Sequence, residues 1–330
     1  MTDRPDRPGE FEIIARYFRP LSLSLPGAAG LADDTATVAI GAGNEPVVTM
    51  DTMVAGVHFL PDDPADLVAR KLLRVNLSDL GASGATPLTY FLSMSLPGSV
   101  TEAWIADFAS GLATDQRIFG VALSGGDTTS TPGPVTLSLT AIGEVPAGQA
   151  IRRATAAPGE DIYVSGTIGD AALALVLMRK DGVEAALARA PALVARYRLP
   201  EPRVALGPAL RGIATAAIDI SDGLFADLGH ICETSGVGAE VSFSAVPLSE
   251  EAARQLAGDL RLSEQIVTGG DDYELLFCAR PEDAPRIAEL AQSLSLPITP
   301  IGRTTSGTTP LIEAASGEAM SLKSPGWRHF

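Results

Sequence analysis

Lysine is almost missing from this 330-residue chain, which has only Lys71, Lys180 and Lys323. None of them closes a G-x-x-x-x-G-K-[ST] run, so a P-loop that grips phosphate through lysine is excluded. Basic residues are scarce altogether: 24 Lys plus Arg stand against 40 Asp plus Glu, a formal net charge of −16. Phosphate contacts dominate nucleic-acid affinity, so a charge of this sign excludes a general nucleic-acid partner. The two cysteines, Cys232 and Cys278, cannot build a four-thiolate zinc site or a dense disulfide framework. Each lies in an apolar pattern and reads as a buried free thiol, which suits a reducing compartment. Histidine is limited to His58, His230 and His329. With no paired-histidine zinc motif and no Gly-x-Ser-x-Gly elbow, a Ser-His-Asp hydrolase is not expected. No window approaches the ~20 apolar residues that cross a bilayer, and residues 1–10 hold no apolar leader core. A soluble, cytoplasmic protein with no membrane partner is expected.

What is present is a chain able to fold. Apolar residues make up 46% and charged residues 19%, and the length exceeds one ordinary domain of ~100–200 residues. Two domains are expected, 1–146 and 147–330, joined through a proline-bearing stretch of few long apolar residues at 146–161. In the first half, helical patterns cover 10–18, 64–81 and 101–119, and strand patterns cover 46–50, 89–96 and 135–142. In the second half, strands are expected at 162–165, 216–220, 239–243 and 273–279. Helices there fall at 168–179, 224–234, 250–257 and 281–294. The fold class is α/β or α+β, twice over, and periodicity does not decide between parallel and antiparallel pairing. No repeat of solenoid length is visible.

The acids carry the chemical signal. Asp33, Asp34, Asp51, Asp79, Asp127, Asp219, Asp222, Asp271 and Asp272 stand at the ends of apolar runs or in glycine-rich segments. Any one of them reads as a helix cap or an Asx turn. If they converge, their repulsion in a cleft demands cations, and hard oxygens on short side chains suit Mg²⁺. Asn76 and Asp79 share a helix face among apolar neighbours, so Asp79 reads either as a metal ligand or as a paired structural carboxylate. The Gly-Gly-Asp segments at 125–127 and 269–271 are expected as turns whose amides approach an anion without a Cβ in the way. Arg152 and Arg153 read either as solvated charges or as a bidentate phosphate clamp. His230 falls within the helical pattern and reads as structural or exposed, while His58, seven residues after Asp51, is the better site candidate.

In order along the chain, GEFEIIARYF, DDTA, MDTMVAGVHF, VNLSDLGASGATP, SGGDTT, IDISDGL, GGDDYEL and GWRHF together resemble the thiamine-monophosphate kinase family, from Gly9 to Phe330. The resemblance implies a two-domain fold of the aminoimidazole ribonucleotide synthetase-like superfamily. Dimers would form through the N-terminal domain, whose sheets close a barrel across the interface. It further implies transfer of the γ-phosphoryl group of ATP to thiamine monophosphate, giving thiamine diphosphate, with several Mg²⁺ ions gathered in a cleft between the domains. Carried over by motif, Asp33, Asp34, Asp51, Asp79, Asp127, Asp219 and Asp222 correspond to Mg²⁺ ligands, with Thr49 assisting. Gly126, Asp127, Arg153 and Ser221 correspond to ATP contacts, and His58, Glu274 and Trp327 to contacts with the thiamine end. Trp327 reads either as a ring for stacking thiamine or as an apolar cap.

Two departures stand out. Ala32 replaces a family glycine before Asp33, and Met50 replaces a hydroxyl residue before Asp51. The substrate phosphate is already nucleophilic near neutral pH, so direct in-line transfer needs no covalent protein nucleophile. Two rival readings are a sibling ATP-dependent synthetase and an inactive nucleotide-binding relative. The VAGVHF, GGDDYEL and GWRHF segments argue against the sibling. Retention of the acids argues against the inactive relative.

Overall fold

The computed structural model describes residues 8–314 and 317–327; the Arg-His-Phe end of the GWRHF segment lies outside the described residues. The chain divides into two compact units: Met1–Leu80 with Ala85–Gly148, and Gly81–Gly84 with Gln149–Phe330.

Unit 1 opens with a short helix α1 (Glu10–Ile13), a π-helical stretch Ile14–Phe18 and 3-10 turns over Arg19–Ser22 and Pro26–Leu31. The continuous amphipathic helix expected over 10–18 is therefore split, and Pro20, which has no amide to donate, stops the α-helical ladder from running on. Four strands follow: β1 (Asn44–Val54), β2 (Thr86–Leu96), β3 (Ala122–Ser130) and β4 (Thr136–Pro146), in sheet order β1-β4-β2-β3. β4 runs antiparallel to β1 and β2, while β2 and β3 are parallel. Helix α2 (Ala65–Ala82) links β1 to β2, and α3 (Glu102–Phe119) makes the β2-to-β3 crossover.

The Thr101 hydroxyl accepts the Trp104 amide to start α3, and Gly120 ends it at a left-handed φ of 69°. Ile105, Phe108, Ala109 and Leu112 of α3 are buried at helical spacing. At Gly111 an added Cβ would sit 2.2 Å from the Asp66 carbonyl oxygen, so α2 and α3 touch backbone to backbone there. Burial alternates along β4, with Leu137, Leu139, Ala141 and Val145 turned inward. The opposite face of the sheet is open at β1, where Val48 and Met50 are 59% and 66% exposed.

The Ser124–Asp127 segment, expected as a glycine turn, lies inside β3 instead. Its glycines serve strand contact: a Cβ on Gly126 would fall 1.9 Å from the Leu92 carbonyl oxygen of the adjacent strand.

Unit 2 is a six-stranded sheet in the order β10-β7-β9-β5-β8-β6. Its strands are β5 (Asp161–Ser165), β6 (Ala214–Asp219), β7 (Gly238–Ser242), β8 (Leu275–Ala279), β9 (Ile298–Thr305) and β10 (Pro310–Glu313). Only β10 and β7 pair in parallel; the other four pairings are antiparallel. The helices are α4 (Asp170–Asp181), α5 (Val183–Arg189), α6 (Pro191–Arg198), α7 (Leu206–Ala209), α8 (Leu224–Ser235), α9 (Glu250–Gly258), α10 (Leu262–Thr268) and α11 (Ala284–Ser293). All five β8 residues are buried. Phe277 stacks on Tyr163 of β5 with ring centroids 5.3 Å apart, within a core that includes Leu206, Leu210, Ile213 and Ile287. The strand expected from Tyr273 starts two residues later, because Tyr273 sits at φ 51°, outside strand geometry. Cys232 and Cys278 are buried free thiols, and burial pushes the Cys232 thiol up to about 11. Among the described residues no helix is long and apolar enough to cross a membrane.

Candidate active site

In unit 1 the first acidic pair forms where β1 crosses α2. Alternation along β1 turns Thr49, Asp51 and Met53 to the helix side. Asn76, fully buried on α2, accepts the Asp51 amide at 3.1 Å and donates to the Leu72 carbonyl at 2.9 Å. One turn on, Asp79 accepts the Thr49 hydroxyl at 2.5 Å. The result sets the carboxylates of Asp51 and Asp79 side by side. Burial, then the neighbouring Asp79 charge, pushes the Asp51 acid up from 3.8 to about 7. Met50 points the other way, so its missing hydroxyl takes nothing from this pair.

The second group lines a cavity of about 330 Å³ at the β3 edge. Asp33, Asp34, Gly125, Gly126 and Asp127 share its wall with Phe18, Leu31, Leu92 and Met94. The Asp34 amide donates to the Asp33 carboxylate at 2.8 Å, turning that loop back on itself. Ala32 has an ordinary φ of −108°, so alanine fits without strain where the family places glycine. Asp51 is in register with Leu139, Leu139 with Leu92, and Leu92 with Gly126. Asp127 is one residue past that row, out of phase with Asp51 in the pleat. Unit 1 thus holds two acidic groups.

His58 follows β1 in a tight turn. Its Nδ1 accepts the Val54 amide at 3.0 Å, which leaves Nε2 as the nitrogen for a proton. Its carbonyl takes the buried Lys71 ammonium at 3.2 Å.

In unit 2 the loop after β6 and the loop before β8 lie at the same sheet end, since Asp219 pairs with Leu275. Amide-to-carbonyl bonds join them: Asp271 to Ser221 at 2.9 Å, Tyr273 to Ile220 at 2.8 Å and Ile220 to Glu274 at 2.9 Å. Gly270 is required for this contact, because a Cβ there would lie 2.1 Å from the Ser221 carbonyl oxygen. Asp219 is buried at the end of β6, and Asp222 is half-buried in the loop.

One oxygen of Asp227, in the first turn of α8, accepts three successive amides: Ser221 at 3.1 Å, Asp222 at 3.0 Å and Gly223 at 3.1 Å. These amides are therefore occupied by a side chain of the protein itself. Burial and the Asp222 charge push the Asp227 acid up to about 7, against the pull of the three amides. Single ligand atoms of Asp222, Asp227 and His230 all lie within 4.8 Å of one another. Asp227 and His230 were not among the expected site residues. Their i, i+3 spacing on one helix face is the signal that points to them.

The remaining expected residues are more dispersed. Trp327 is 47% exposed, and its amide donates to the Asp222 carbonyl at 3.0 Å, which sets its main chain beside that loop. Glu274 is fully buried; Arg203 grips it with two bonds of 2.6 and 2.5 Å, Arg196 with one of 2.7 Å and Ser165 with one of 2.6 Å. Its carboxylate therefore offers no exposed atom to a ligand. Arg153 is exposed, and its carbonyl is held by Thr234 and Ser235 at the C-terminal end of α8. Twelve residues of helix put that end about 18 Å along the axis from the Asp222 loop.

Residues 32–145 match the family model of the AIR synthase related protein N-terminal domain, and residues 157–312 match that of the C-terminal domain. Fold and sequence thus define a two-domain protein of the AIR synthase related class. A thiamine-monophosphate kinase of Caulobacter vibrioides is 40% identical, over 98% of this chain and 91% of that protein. The crystal structure of thiamine-monophosphate kinase from Stenotrophomonas maltophilia K279a superposes with a TM-score of 0.85 at 43% identity, covering 94% of this chain and 98% of that one. AaThiL complexed with AMPPCP and TMP superposes at 0.76 with 30% identity, covering 98% and 97%. The chain belongs to the thiamine-monophosphate kinase family.

Proposed function

We propose that this chain transfers the γ-phosphoryl group of ATP to the phosphate of thiamine monophosphate, forming thiamine diphosphate and ADP. The observation that carries this reading is near-full-length likeness to AaThiL, a protein solved with AMPPCP, an ATP analogue, and TMP. An oxygen of the acceptor phosphate attacks the γ-phosphorus in line, while the bond to the β–γ bridging oxygen breaks and leaves with ADP.

The donor chemistry of the site fits Mg²⁺. Burial, and then the adjacent Asp79 carboxylate, raise the Asp51 acid to about 7, so the pair is short of compensating positive charge. We assign Asp33, Asp34, Thr49, Asp51, Asp79 and Asp127 of unit 1, and Asp219 and Asp222 of unit 2, as the residues that would hold it. Bound there, Mg²⁺ would offset the charge of the polyphosphates and hold them for transfer. Gly126 and Asp127 of the β3 cavity, with Ser221 and Arg153, are assigned to ATP. Trp327 and His58 are assigned to the thiamine end, and Glu274 to holding Arg196 and Arg203 behind it.

Residues 1–146 are assigned as the ATP- and metal-binding half and as the dimerisation half, and 147–330 as the half that carries Asp219, Asp222 and Trp327. The dimer reading is supported by β1: an 11-residue edge strand whose outer face exposes Val48 and Met50 is a ready surface for a second copy closing a barrel. A cytoplasmic location fits the two buried free thiols.

ATP labelled in its γ-phosphoryl group tests the reaction. With thiamine monophosphate and Mg²⁺, the label is expected in thiamine diphosphate. Label recovered only as inorganic phosphate would contradict it.

A further inference from the structure

Ser221, Asp222 and Gly223 form a loop whose main chain is held from three directions. Asp227 takes all three amides on one oxygen. The Asp271 amide takes the Ser221 carbonyl, and the Trp327 amide takes the Asp222 carbonyl at 3.0 Å. The C-terminal segment reaches this position through close backbone contact. A Cβ on Gly326 would stand 2.5 Å from the Ala226 Cβ and 2.7 Å from the Asp222 carbonyl oxygen. Neither neighbour can move cheaply: Ala226 lies in α8, and the peptide that carries the Asp222 carbonyl is tied through the Gly223 amide to Asp227. Before Gly326 the segment is tethered again, the Lys323 amide donating to Glu264 at 2.7 Å and the Ser324 hydroxyl to the Gly326 carbonyl at 2.8 Å.

We propose that Gly326 is a positioning residue that docks the C-terminal segment onto the Asp222 loop, coupling cation binding at Asp222 to recognition of the thiamine end by Trp327. The proposal rests on the assignment of Asp222 and Trp327 given above. One residue, Asp222, does both jobs: its carboxylate would take the cation, and its carbonyl holds the amide of the residue that carries the indole. A cation on the carboxylate would further fix the position of the Asp222 carbonyl, and docking the segment on that carbonyl would in turn fix the carboxylate. Such coupling is reciprocal, so each ligand tightens the other by the same factor.

Free thiamine is the informative probe, because it has no phosphate for a cation to bridge. Its own positive charge would make direct interaction with Mg²⁺ repulsive. Calorimetric titration of the full chain with thiamine, in chelator and then in saturating Mg²⁺, is expected to show at least ~5-fold tighter binding with the cation. Gly326→Ala is expected to bind thiamine weakly under both conditions and to need more Mg²⁺ for half-saturation in a direct cation titration. Trp327→Ala, which keeps the main-chain bond, is expected to lose thiamine binding yet keep the wild-type Mg²⁺ midpoint. A merely structural role would not divide the two variants in this way.

Thiamine affinity in the wild-type chain that does not respond to Mg²⁺ would overturn the inference, and that arm needs no variant to fold. Gly326→Ala matching the wild type in both titrations would also overturn it. Failure of the functional reading looks different: the wild-type chain would then not phosphorylate thiamine monophosphate at all.

Discussion

Asp51 and Asp79 meet where a buried helix passes beneath an edge strand, and their environment sets a pH dependence with a definite sign. A carboxylic acid raised from 3.8 to about 7 holds its proton more tightly in the folded chain than in the unfolded one. Its stabilising contribution is therefore whole below about pH 4 and lost as the pH climbs to about 7. Asp51→Asn removes the repelling charge. In chelator it is expected to raise Tm over the wild type at pH 8, with a gain that shrinks toward pH 5. The same variant is expected to lose much of the Tm rise that Mg²⁺ gives the wild type. Melting curves with and without the cation at both pH values check this; a variant destabilised in chelator at pH 8 would remove the argument for a charge-strained pair. The acids proposed for the site were readable as candidates only by their recurrence at the ends of apolar runs, since each alone also fits a cap or an Asx turn. Asp227 was not, because an acid in the first turn of a helix looks like an ordinary response to the helix dipole until its three amide partners are seen.

Elements with long periodic patterns were legible. Helices α2, α3 and α8 lie close to their expected spans, because their apolar residues recur at helical spacing in the sequence, although α2 proves to be buried on nearly every side. β3 was hidden by Gly125 and Gly126, which look the same in a tight turn and in a strand that approaches its neighbour's carbonyl closely. The mostly antiparallel sheet of unit 2 was hidden for another reason: strands such as β8, buried at every position, have no alternation to read. β1 gives a prediction at this scale. Its outer face shows Val48 and Met50 to solvent beside unpaired edge groups, a combination that isolated domains usually blunt with charge. Val48→Asp combined with Met50→Lys is expected to convert dimers to monomers in light scattering while circular dichroism stays unchanged. A wild-type chain that is monomeric under the same conditions would contradict the dimer.

At the scale of the whole molecule, the proposed function joins the near-absence of lysine to the excess of acid. A site that holds polyphosphate through cations needs carboxylates in quantity and can dispense with a P-loop lysine. On the proposed function, the acids assigned to the cation sites in both units account for part of the net charge of −16. The two-unit organisation was legible from length and from the ordered motifs. How the loops of unit 2 bond to one another was not, since those bonds run through main-chain groups that every residue shares. The proposed acceptor is a phosphate, not an alcohol. ADP release by the full chain, with ATP and Mg²⁺ and with either thiamine monophosphate or free thiamine as acceptor, tests that most directly. Turnover with thiamine monophosphate and none with thiamine is the predicted result; release with thiamine alone would contradict it.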